Sequence, residues 1–267
     1  MIDTPRTRTS AARPPRPAPP EAPSLPQYSL RQILATWAAA ALPMAALAWL
    51  FAPWLAGTLD GSSAWPRAIV VSLTAGLVWQ AVLVVVLVHR EQGSLRWSVL
   101  KDALWLHAPV SPSTGRRGGW LWLLTVPLVA AVAVKEMLPR LPMPATRDME
   151  LFLRSSAGEE FFSGNWPWFG LVVVMMVFNT VLGEELLFRG LLLPRMQGVF
   201  GRRDWVANGV LFGLYHLHLP WSIPLNLLDT FLLSYPARRY RSALIAIAVH
   251  SAQTVVLGAL LLALVLG

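Results

Sequence analysis

Glu184 and Glu185 stand side by side in a stretch otherwise made of Leu, Val, Met and Phe, and His216 and His250 follow in two further apolar stretches. An ionisable group at the centre of a bilayer costs at least about 2.5 kcal/mol, so such residues are there either to pair or to react. Carboxylates and imidazoles are the side chains of general acid–base chemistry. One carboxylate with two histidines is also a three-ligand zinc set with an open position. Arg189 follows Glu185 at the helical spacing for an ion pair. Adjacent helical residues point about 100° apart, so Arg189 cannot satisfy both carboxylates, and Glu184 is left available. The bland alternative is that both glutamates only lock the helix end through arginines. His218, two residues from His216, should face the opposite side of a helix and is read as structural or interfacial, and Asp229 is a candidate supporting partner.

The elements that must hold these groups follow from the apolar runs. The chain is 55% hydrophobic and only 13% charged, too apolar for a soluble core to absorb. Residues 33–55, 68–88 and 120–134 carry no Asp, Glu, Lys or Arg; residues 168–188 are apolar apart from the two glutamates, and residues 243–266 apart from His250. Two shorter runs, 205–219 and 222–235, are separated by Pro220 and Pro224, which suit a turn. About 20 apolar residues in a helix match a hydrocarbon core of roughly 30 Å. The expected fold is therefore all-α, a polytopic transmembrane bundle of about seven spans over residues 28–267. No run shows the alternation of a membrane β-strand. Residues 1–27, rich in Pro and Arg, read as a disordered cytoplasmic tail, and the absence of cysteine excludes disulfides and thiolate metal sites.

Charge sorts the loops. With the tail inside, segments 1–32, 89–118, 189–205 and 236–242 hold 5, 5, 4 and 3 of the 22 Lys and Arg, and most of the rest lie in loop 135–167 among five carboxylates. The net charge of +8 is thus a topology signal for a membrane protein with a cytoplasmic N-terminus, not a nucleic-acid footprint. Residues 95–106 read as an interfacial amphipathic helix. The Ala, Leu, Arg and Pro bias suggests a bacterial inner membrane. By helical rise, Glu184, His216 and His250 fall between the inner surface and the midplane, and they are expected on one cavity open toward the cytoplasm.

GEELLFRG (residues 183–190), FGLYH (residues 212–216) and AVHSAQT (residues 248–254) together resemble the CPBP family of intramembrane endopeptidases, which includes type II CAAX prenyl proteases and bacteriocin self-immunity proteins. The family motifs EExxxR, FxxxH and HxxxN fall here on Glu184, Glu185 and Arg189, on Phe212 and His216, and on His250. The third departs from the family, with Thr254 where asparagine is usual and Gln253 beside it. The resemblance spans about residues 168–260; the first three spans match only in hydrophobicity.

The resemblance implies a protease in which Glu184 is the base, His216 holds the same water, and His250 donates to the oxyanion with help from Thr254 or Gln253. Glu185 and Arg189 would be the supporting pair. Its partners would be the bilayer and a membrane-associated protein or peptide, cut near a C-terminal tail. A metal-free glutamate mechanism is favoured over zinc on Glu184, His216 and His250, because no further strong ligand is evident and HExxH is absent. The rival class is a non-catalytic binding or immunity protein, or a transporter, although no duplicated halves are visible.

Overall fold

A computed structural model describes residues 25–267; residues 1–24, the bulk of the expected tail, lie outside the described residues. The described residues are helical, and the only β pairing among them is an isolated bridge between Val110 and Arg117. Five helices are long and apolar enough to cross a membrane: α1 (Leu30–Ala56), α2 (Ala64–Gln92), α4 (Gly119–Glu136), α5 (Trp166–Arg195) and α8 (Ala243–Leu266). Between them lie α3 (Trp97–Ala103), α6 (Asp204–Tyr215) and α7 (residues 230–240).

Local sequence sets the helix limits. Ser29 and Gln32 form a reciprocal capping box that starts α1. Gly93 ends α2 with φ of 65°, a left-handed conformation that costs glycine little, just after His89 and Arg90 in the last turn. The expected amphipathic helix at residues 95–106 is realised as α3, and the chain leaves it through Leu104 and Leu106, both buried.

The two shorter runs become helices shorter than those five. α6 stops at Tyr215, the chain turns through a tight 3₁₀ segment at His216–His218 and another at Pro220–Ser222, and α7 then runs back. The two pack closely because α6 offers Gly209 and Gly213 to the returning chain. A Cβ on Gly209 would lie 2.2 Å from Thr230 Oγ1 and one on Gly213 2.7 Å from Leu227 Cδ2. Small residues one turn apart are how helices approach each other where no hydrophobic driving force separates them from lipid. Gly183 does the same for α5 against α2, where an added Cβ would stand 3.2 Å from Leu77 O.

Long-range bonds sort the connections into two ends. At one, Tyr28 N–H donates to Arg195 O (2.9 Å), Val110 N–H to Tyr240 O (2.9 Å) and Ala243 N–H to Trp105 O (2.9 Å). Arg195, fully buried, closes that end by donating to Glu91 Oε2 at 2.6 Å and to the Ala103 and Leu191 carbonyls. At the other end Trp49 Nε1 donates to Leu217 O (2.8 Å), the Arg147 guanidinium lies over Trp49 and Trp65 (3.9 and 4.8 Å), and Gly164 N–H donates to Val265 O (2.9 Å). This division matches the sides to which charge assigns the loops.

Candidate active site

α5, the end of α6, and α8 carry the three motifs. Around the glutamates α5 is not a regular α-helix: π turns at Phe178–Gly183 and Leu186–Leu192 flank Glu184 and Glu185. Widened turns of this kind are frequent at functional sites because they re-aim side chains.

The two glutamates part company. Glu185 is fully buried and its Oε1 accepts from Arg189 Nη1 (2.9 Å), the expected pair, and also from His250 Nδ1 (3.0 Å). Arg189 continues the network: its Nη2 donates to Ser234 Oγ (3.4 Å) and its guanidinium lies 3.9 Å from the centre of the Phe212 ring. Ser234 donates in turn to Asn208 Oδ1 (2.9 Å), and Asn208 to the Phe188 carbonyl (2.7 Å). Four helices are thereby tied to one carboxylate. Glu184, also buried, points instead into a cavity of about 910 Å³.

Glu184, Phe212, His216, His250, Gln253 and Thr254 all line this cavity, whereas Glu185 and Arg189 do not. His216 Nδ1 lies 2.9 Å from Phe212 O; a carbonyl only accepts, so Nδ1 carries the proton and Nε2 is left with its lone pair. His250 is likewise anchored through Nδ1, so its Nε2 is the ring nitrogen that contact leaves over. As for zinc, no group of three or more His, Asp or Glu side chains among the described residues is gathered closely enough to hold one ion. Glu184, His216 and His250 share the lining of one cavity.

Two expectations need correction. The cavity does not open toward the basic end. Its lining runs outward along Leu257, Leu260 and Leu264 of α8 to Arg140, Arg147 and Arg154 of the loop that charge assigns to the outside. The reason is the plug of Arg195, Glu91 and the buried Phe188 and Leu191–Leu193 layer, which fills the other end. Nor do His216 and His218 face apart: the 3₁₀ turn sets their rings 5.3 Å apart and nearly parallel, and His218 also lines the cavity.

Further polar groups escaped the sequence reading. Lys135, at the end of α4, is buried and donates to both Asp229 oxygens at 3.0 and 3.1 Å, and both residues line the cavity. A lysine closing an otherwise apolar span was the available signal. Gln80 of α2 donates to the Tyr215 hydroxyl (2.6 Å), one residue before His216. Asn179 lines the cavity from α5. The register of α5 on α8 is fixed by Glu185 on His250, Thr180 on Ser251 and Met176 beside Gly258, and it brings Asn179 to the level of Thr254. No spacing rule within one helix could have revealed that.

Residues 165–256 match the family model described as type II CAAX prenyl endopeptidase Rce1-like. The stretch takes in α5, α6, α7 and the first half of α8, and so holds all three motifs, the Glu185–Arg189–His250 network and Asn179. It supports the chain being an intramembrane endopeptidase acting on membrane-associated peptides. The first three spanning helices lie outside the Rce1-like stretch, although Gln80 of α2 and Lys135 of α4 reach the same site. No curated protein and no solved structure matches the chain.

Proposed function

We propose that the protein hydrolyses a peptide bond near the C-terminal tail of a membrane-associated protein, with Glu184 activating the water. The observation that carries this reading is the division of labour between the glutamates. Glu185 is consumed by Arg189 and His250, while Glu184 lines the cavity with His216. Water bound between Glu184 and His216 Nε2 gives its proton to Glu184, and the hydroxide oxygen attacks the carbonyl carbon. The carbonyl oxygen becomes an oxyanion and takes hydrogen bonds from His250 and from Thr254, Gln253 or Asn179. As the C–N bond breaks, the proton held by Glu184 passes to the departing amine, so the carboxylate is regenerated.

His250 can donate from Nε2 while Nδ1 donates to Glu185 only as imidazolium. Glu185 supplies the counter-charge, and Arg189 fixes the carboxylate in place. This gives the supporting pair a task beyond holding the helix end.

The test is cleavage by the purified protein of single-span peptides with randomised C-terminal tails. Glu184→Gln should lose at least about 100-fold in turnover, the usual worth of a general base, while keeping the wild-type unfolding temperature. Turnover should survive a strong chelator. Wild-type rates in the Gln variant would remove Glu184 from the chemistry, and tight peptide binding without turnover by the native protein would favour a non-catalytic binding role.

A further inference from the structure

The direction of the cavity and the distribution of charge together say from which side a substrate arrives. Glu184, Phe212, His216 and His250 form its floor, and its wall climbs α8 to a rim that includes Arg147, Glu150, Arg154 and Trp221. None of segments 89–118, 193–204 and 236–242 contributes to its lining. The cavity is thus open at one end of the bundle and closed at the other.

The two ends differ in free charge as well as in count. At the closed end Arg96, Arg116, Arg117, Arg202, Arg203 and Arg241 are exposed, and none has an ion-pair partner among the described residues. At the open end three cations are paired, Lys135 with Asp229 (3.0 Å), Arg140 with Glu136 (2.6 Å) and Arg154 with Glu150 (2.8 Å), while Arg147 lies over Trp49 and Trp65 and Arg67 donates to the Asp60 carbonyl. Lys and Arg near span ends are retained on the cytoplasmic side, where anionic headgroups also attract them. Loop 135–167 holds five carboxylates against four cations, which leaves the open end nearly neutral and makes it the end able to cross during insertion.

We propose that the cavity opens on the non-cytoplasmic face of the membrane and takes its substrate from the extracytoplasmic segment of a membrane-tethered protein. The choice of substrate rests on the protease reading; the sidedness of the mouth does not.

The chain has no cysteine, so single cysteines report sidedness directly. Thr146, on the rim loop, and Thr114, at the closed end, are both exposed. In intact cells a membrane-impermeant maleimide should label Thr146→Cys, and Thr114→Cys only after permeabilisation. Peptides cleaved in detergent are then fused to single-span reporters with the same tail on either face, and only the outward-facing tail should be cut in cells. Labelling of Thr114→Cys alone in intact cells, or cleavage of inward-facing tails, overturns the proposal and leaves the protease reading intact. If no peptide is cut in detergent, the protease reading fails, and the labelling pattern alone decides the side of the mouth.

Discussion

Around His250 the donors to an oxyanion come from two helices. Thr254 and Gln253 share α8 with the histidine, and Asn179 reaches the same level from α5. A hydroxyl in place of an amide leaves the third motif short of one strong donor, and Asn179 is a side-chain amide already facing the cavity. Removing one oxyanion donor typically costs about 100- to 1000-fold in turnover, so Asn179→Leu should lower kcat by about 100-fold with KM little changed. Thr254→Val should also act on kcat rather than KM. A loss confined to KM would mean that these side chains bind the peptide and do not serve the transition state.

The helices are fixed at their ends by charge and in their middles by glycine. Arg195 at the end of α5 is fully buried, and Glu91 at the end of α2 is its carboxylate partner. Burial pushes the Tyr28 phenol well above its usual range, and its hydrogen bond to Glu91 adds to this, so Tyr28 stays a neutral donor beside the pair. Removing one member of a buried pair leaves the other uncompensated, at about 3–5 kcal/mol. Glu91→Ala should therefore lower the unfolding temperature in detergent markedly, and Glu91→Gln less. A loss no larger than that of an exposed substitution such as Arg116→Ala would show that the pair does not hold the closed end.

For the molecule as a whole, the apolar surface faces outward. Leu42, Leu50, Leu123, Val126, Val255 and Val256 are all exposed, an arrangement that lipid stabilises. Trp54, Trp120 and Trp166, exposed at span ends, and Trp97, exposed at the start of α3, suit the membrane–water interfaces. The fold closes from Leu25 onward, where Gln27 bonds to Pro194 O (3.0 Å) and Gly198 N (2.9 Å). Deleting residues 1–24 removes four arginines but leaves those of the closed end. The shortened protein should keep the orientation, unfolding temperature and turnover of the full chain, measured by the same cysteine labelling and cleavage assays. A reversed labelling pattern would make the tail the determinant of topology.

Sequence alone determined what depends on composition and on spacing within one helix. The apolar runs dictated an all-α membrane bundle, because lipid leaves backbone groups no partner but each other. The step from Glu185 to Arg189 dictated their ion pair, because both sit on one helical face. Charge separated the two ends, because Lys and Arg resist translocation. Tertiary structure decided whatever depends on how one helix lies against another. His250 turned out to bind Glu185, Lys135 to meet Asp229, and Asn179 to stand level with Thr254, because helix register is set by contacts far apart in the chain. A 3₁₀ turn that no periodicity announces turned His218 toward His216. The cavity opens away from the basic end because buried Arg195 and the Leu191–Leu193 layer fill that end, and packing volume is a property of the assembled helices.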